Sequence, residues 1–173
     1  MRAFGRLLRR WRAGEEHRVA EDDRFSGAPR IPLVSAAFAP GGPMPASKAS
    51  PPLAWRDVPA EARSLALVME DVDVPFPRPL AHVVAYAIDP ATTELPEGAL
   101  DPARTALGYN GAGGRAYLAP APIPGHGRHR YVFTLLAIDF VPRFDQAPTR
   151  GRLLDAIAGH VVALGELTGT AER

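Results

Sequence analysis

Ser64-Leu65-Ala66-Leu67-Val68-Met69 and His82-Val83-Val84-Ala85-Tyr86-Ala87-Ile88 decide the fold class. Both runs are nearly continuous in apolar residues, where a strand with one wet face would alternate, so each reads as a strand buried between two layers. A sandwich accommodates such strands more naturally than a single open sheet. Working outward, Ile31 to Phe38, Leu80 to Ile88 and Tyr131 to Phe140 are further candidate strands, set between loops rich in proline and glycine. With 19 Pro and 16 Gly, long helices through the middle of the chain are disfavoured, because both residues interrupt regular hydrogen bonding. The class is therefore mainly β.

The two ends follow a different period. Phe4, Leu7, Leu8 and Trp11 recur at helical spacing, with Arg2, Arg6, Arg9, Arg10 and Arg12 largely on the other faces. Residues 1–29 are thus expected to form a basic extension containing a short helix, ahead of a main unit over residues 30–173. Such a helix could dock on an anionic membrane surface, or pack on its own domain or on a second subunit of a homodimer. Packing is preferred, because Gly5, Gly14, Glu15 and Glu16 limit the length and charge of the patch. At the other end Leu153 or Leu154, Ile157, Val161 and Leu164 also fall at helical spacing, and Thr149 after Pro148 can cap the start. That predicts one C-terminal amphipathic helix covering part of the sandwich.

A chain of 173 residues with 46% hydrophobic composition fills one core. A formal charge of +1 gives no global field toward nucleic acid or membrane, so no nucleic-acid partner is expected. The absence of cysteine removes disulfides, thiolate metal sites and cysteine nucleophiles, and fits a reducing, cytoplasmic location. No apolar run approaches the roughly 20 residues of a membrane span, and the N-terminus lacks the apolar core of about 7 to 15 residues of a signal peptide.

Three segments could carry chemistry, and each also has an ordinary structural reading. Glu70-Asp71-Val72-Asp73-Val74-Pro75 follows a buried strand to the surface. Its carboxylates are either oriented by that strand or part of a solvated acidic turn; if the strand continues, Asp71 and Asp73 share a face, whereas a turn before Pro75 separates them. His82 lies inside an apolar strand, where a core histidine is the commoner outcome. Gly108 to Phe133, GYNGAGGRAYLAPAPIPGHGRHRYVF, joins a glycine-rich loop, a proline-rich stretch and the cluster His126, Arg128, His129 and Arg130. It suits an anion site, since prolines pre-order the loop and His and Arg donate to phosphate oxygens, and it equally suits a plain connection.

Taken together and in order, these segments resemble the phosphatidylethanolamine-binding protein family, in particular its prokaryotic, Raf-kinase-inhibitor-like branch. Asp71-Val72-Asp73-Val74-Pro75 resembles that family's Asp-Pro-Asp-x-Pro. His82-Val83-Val84-Ala85-Tyr86-Ala87-Ile88 resembles its His-Trp-Val-Val-x-Asn-Ile strand. Gly108-Tyr109-Asn110, Ala119-Pro120-Ala121-Pro122-Ile123 and His129-Arg130-Tyr131 are similar to its Gly-x-Asn, Gly-Pro-x-Pro-Pro and His-Arg-Tyr elements, and Ser50-Pro51-Pro52-Leu53-Ala54-Trp55 to its Ser-Pro-Pro-Leu-x-Trp. Gly159-His160-Val161-Val162-Ala163 and Glu166-Leu167-Thr168-Gly169-Thr170 look like the bacterial C-terminal helix and tail, and the likeness runs from about residue 31 to residue 170.

The resemblance implies a two-sheet antiparallel β-sandwich with a C-terminal helix, and a small pocket for phosphate-like or phospholipid headgroup ligands. Carried over by position, Asp71, His82, His129 and Tyr131 line that pocket, the backbone at Ala121 and Pro122 forms a wall, and Asp73 and Arg130 are a structural acid–base pair. Val72, Val83, Ala87, Ala119 and Ile123 depart from the pattern, and losing a tryptophan at 83 removes an aromatic wall for an alkyl or ammonium group. The expected function is non-enzymatic binding of a small anionic or zwitterionic ligand, with no cofactor. The alternative is a protein-interaction regulator of a kinase or protease. A hydrolase ranks lower, because no Gly-x-Ser-x-Gly elbow accompanies the Asp and His residues, and their spacing suggests no metal set.

Overall fold

The computed structural model describes residues 2–173; Met1 and the side chain of Arg2, both part of the expected basic extension, lie outside the described residues. A short helix α1 (Arg2–Leu8) and two 3-10 turns (Val19–Glu21, Asp23–Phe25) precede β1 (Leu33–Val34), β2 (Leu53–Trp55), β3 (Ser64–Asp71), β4 (Leu80–Ile88), β5 (Glu94–Leu95), β6 (His129–Ile138), α2 (Arg150–Ala156) and β7 (Val161–Ala171). A four-stranded antiparallel sheet has the order β4-β3-β6-β7, and a smaller antiparallel sheet the order β1-β2-β5.

The central strands are buried on both faces. Leu65, Leu67 and Met69 of β3, with Tyr131, Phe133 and Leu135 of β6, pack toward the small sheet against Leu33, Leu53, Trp55 and Leu95. Ala66 and Val68 of β3, with Leu136 and Ile138 of β6, pack on the opposite side against Leu153, Leu154 and Ile157, and against Val19, Ala20 and Phe25 of the 3-10 turns. All eight residues of β3 are buried, which is why its sequence does not alternate. The expected sandwich thus gains a third, partial layer from α2 and the N-terminal segment.

Two expectations need correction. The helix near the C-terminus covers only Arg150–Ala156, capped by Thr149, whose side chain accepts from Arg152 N. Gly159 then adopts φ +79°, a left-handed conformation that stops a helix. Val161 and Leu164, expected on that helix, instead belong to β7, which pairs with β6 from Ile138↔Val161 to His129↔Ala171. Their three-residue spacing favours a helix; in β7 they share a face only because Val162 is an extra residue between the Ile138↔Val161 and Ala137↔Ala163 pairs, and the long edge of β6 draws the segment into the sheet. The first candidate strand, Ile31 to Phe38, is reduced to Leu33–Val34.

Candidate functional site

Asp71 is the last residue of β3 and stands opposite Tyr131 on β6. Glu70, one residue earlier, points to the other face. There it accepts from Val19 N at 2.8 Å and pairs with Arg150 Nε at 2.6 Å. Burial raises the Glu70 carboxyl above its ordinary pKa, and Arg150 offsets part of that shift. The acidic segment therefore serves two sites on opposite faces.

After Asp71 the chain turns, so the two aspartates take separate roles. Asp71 Oδ1 accepts from Asp73 N at 2.9 Å and fixes the turn. Asp73 is buried, and its Oδ2 accepts from Arg130 N at 2.7 Å and Arg130 Nε at 2.9 Å. Its Oδ1 receives the Nη2 of Arg130 at 2.8 Å and the Nη1 of Arg12 at 2.7 Å. Arg130 also pairs with Glu15. Val72 N donates to Arg130 O, and Val72 and Val74 in turn accept from Gly14 N and Ala13 N. The N-terminal segment is thus tied to the loop carrying both aspartates.

His129 lies two residues before Tyr131 on β6 and so on the same face. Its Nδ1 meets Asp71 Oδ2 at 2.8 Å, and its Nε2 meets His126 Nδ1 at 2.7 Å. His126 is fully buried, and its Nε2 meets the backbone oxygen of Leu8 at 2.8 Å. Carboxylate and carbonyl oxygens only accept, so both outer nitrogens of this chain carry hydrogen. The inner pair shares one more.

His82 arrives by a break in register. Met69 pairs with Val83 and Glu70 with Ala81, so His82 is the extra residue of a β-bulge, a device that re-aims a side chain. Its ring packs edge-on against Tyr131 with centroids 5.1 Å apart, and its Nδ1 meets Leu118 O at 2.6 Å. Burial lowers the His82 pKa below its ordinary value; the Leu118 bond and the Asp71 charge oppose this shift. With Nδ1 donating to Leu118, the neutral ring presents Nε2 as an acceptor. The Tyr131 hydroxyl is buried and makes no hydrogen bond of normal geometry, although the Asp71 carboxylate and the Ala121 backbone lie close to it. Burial, then the Asp71 charge, raises its pKa, so it keeps its proton and can donate.

Asp71, His82, His129 and Tyr131 therefore converge, each no more than 3% exposed. Ala121 and Pro122 line a groove of about 650 Å³ with Met44, Pro45 and Thr170, and none of the four converging side chains is part of its lining. Asp73 and Arg130 are joined through both carboxylate oxygens, outside the groove lining. Sequence reasoning named His126 in the basic cluster but not among the pocket residues, and it missed Arg12 and the Leu8 carbonyl as participants altogether. The His126-Gly127-Arg128-His129 spacing was visible, but nothing local indicates that residues 8 and 12 reach it. Among the described residues, no group of three His, Cys, Asp or Glu side chains is arranged to hold a metal ion, and no helix is long and apolar enough to cross a membrane.

Residues 34–172 match the sequence profile of the family described as phosphatidylethanolamine-binding protein. This chain belongs to that family. A UPF0098 protein of Chlamydia trachomatis serovar D is 39% identical over 154 residues, covering 82% of this chain and 98% of the relative. One from Methanothermobacter thermautotrophicus is 38% identical over 128 residues, covering 72% and 83%. A crystal structure of a phosphatidylethanolamine-binding protein homologue from Chlamydia trachomatis superposes with a TM-score of 0.77 at 37% identity, covering 84% of this chain and 99% of that one. Escherichia coli YbcL shares the fold, with a TM-score of 0.75 at 21% identity over 83% and 98% of the two chains.

Two departures from the family pattern have local explanations. Val72 keeps an N–H that a proline would lack and donates it to Arg130 O at 3.2 Å. Ala87 sits at φ +53°, where the family pattern has asparagine, a residue better suited to left-handed backbone. Asn110 of the Gly-x-Asn element is structural: its Oδ1 accepts from Ala112 N and Gly114 N, and its Nδ2 donates to Ala116 O.

Proposed function

We propose that this chain is a cytoplasmic, non-enzymatic binding protein whose Asp/His cluster receives a phosphate-like or phospholipid headgroup ligand. The observation that carries this reading is the buried Tyr131 hydroxyl, left without a hydrogen bond of normal geometry beside His82 and Asp71. A buried hydroxyl costs about 1–3 kcal/mol when unpaired, and a ligand oxygen accepting from it recovers that cost. Nε2 of His82 supplies a second contact. It accepts from a ligand ammonium or phosphate O–H while the ring is neutral, and donates once the ring is protonated. Phosphate binding therefore strengthens as pH falls.

Thermal shift with inorganic phosphate, phosphoethanolamine and phosphocholine tests the reading at about pH 6 and about pH 8. A ligand at about ten times its Kd adds about 1.4 kcal/mol, hence about 3–6 °C at this chain length. Tyr131→Phe removes only the unpaired hydroxyl, so the ligand-free variant is expected to be at least as stable as wild type while losing most of the shift. Equal shifts in wild type and Tyr131→Phe would exclude this cluster as the site. No shift with any of the three compounds would move the reading to a protein-interaction role.

A further inference from the structure

Helix α1 is attached to the domain by the side that was not expected to pack. Gly5 is its buried residue, and a Cβ there would overlap the Pro124 carbonyl and lie 2.8 Å from His126 N. Arg9 Nε donates to Gly125 O at 2.9 Å, Arg12 Nη1 to Arg128 O at 3.0 Å, and the Leu8 carbonyl receives His126. Glycine, two arginines and backbone thus make the attachment. The apolar residues do not: Phe4 and Leu7, at i and i+3 on the helix, and Trp11, three residues past its end, are 62%, 78% and 68% exposed. Arg6 and Arg10 are exposed beside them.

We propose that this face docks on an anionic lipid surface. Three observations favour such an occupant over a second copy of the chain. No acidic residue precedes Glu15, so the first fourteen residues carry five arginines and no carboxylate. Glu15, the first acid, is paired with Arg18 and Arg130 and leaves the charge of the patch intact. Gly5, which weakens an isolated amphipathic helix, serves here as the contact with the domain, so it does not interrupt the apolar stripe. A narrow stripe of Phe, Leu and Trp flanked by uncompensated arginines matches a headgroup boundary, whose anions are supplied by the lipid. A second copy would bring a second cluster of arginines to the same contact. This inference does not depend on what the Asp/His cluster binds.

Co-sedimentation of the full chain with vesicles tests it, comparing phosphatidylglycerol mixed into phosphatidylcholine with phosphatidylcholine alone, both free of ethanolamine lipids. Trp55 is only 4% exposed while Trp11 is largely exposed, so a blue shift of tryptophan emission on adding vesicles reports Trp11. Binding to the anionic vesicles with that blue shift is expected, weakening steeply with salt. Each exposed arginine contributes about fivefold, so Arg6→Gln with Arg10→Gln lowers the partition coefficient by about 25-fold. Leu7→Ser with Trp11→Ser abolishes binding. Both pairs are solvent-facing, so melting temperature serves as the control for folding. Equal binding to neutral vesicles, no binding at all, or no effect of the arginine pair overturns the proposal. So does a concentration-dependent dimer, by light scattering, that Leu7→Ser dissociates. Leu7→Ser with Trp11→Ser is expected to leave the thermal response to soluble phosphocholine as in wild type, which separates this test from that of the headgroup site.

Discussion

Replacing His126 with phenylalanine asks whether the Asp71–His129–His126–Leu8 chain holds the N-terminal segment on the domain. Phenylalanine, somewhat larger than the imidazole, occupies its fully buried site but removes both hydrogen bonds, leaving His129 Nε2 and the Leu8 carbonyl without this partner. Each buried group left unpaired costs about 1–3 kcal/mol. Leu8 O still accepts from Trp11 N at 2.9 Å, so its share falls at the low end, and the sum is about 2–4 kcal/mol. At about 2–4 °C per kcal/mol for a chain of this size, the melting temperature should fall by roughly 5–15 °C. Trypsin cleavage after Arg6, Arg9 and Arg10 should accelerate in the same variant, because Leu8 O is one of the few fixed points of α1. A drop of less than about 2 °C with unchanged cleavage would refute the reasoning. The relay would then be a consequence of packing and would not be what keeps the segment in place.

Two further outcomes follow from single residues. Burial lowers the His82 pKa from the ordinary 6.5, so the unfolded chain takes up a proton first as pH falls. The stability of the wild type should decline from about pH 6.5 downward, a decline that His82→Phe lacks; parallel Tm–pH curves would show that His82 is not the titrating group. Ala87 is exposed and holds φ +53°, so Ala87→Gly relieves left-handed strain without losing packing. It should stabilise the fold by about 1 kcal/mol, read as a rise of about 2–4 °C in Tm; a fall would mean that the backbone entropy added to the unfolded chain outweighs the strain.

The sequence alone determined the sandwich, because strands buried on both faces are apolar on both, and the runs Leu65–Met69 and Val83–Ala85 carry that mark. It also put Asp71, His82, His129 and Tyr131 on strand ends and in strands, where a shared face is a matter of parity. It could not place His82 on that face, since the bulge opposite Met69 and Glu70 is a property of the pairing between two strands. Nor could it assign Val161–Ala171, whose Val161 and Leu164 read as helical until the free edge of β6 claims the segment. The N-terminal segment lay furthest from reach. Its stripe of Phe4, Leu7 and Trp11 reads as a packing face, yet the domain binds the glycine side of the helix, because the Pro124–His126 loop leaves room for backbone and none for a side chain. Local sequence records what a segment can bury, and only the tertiary structure decides which surface is free to receive it.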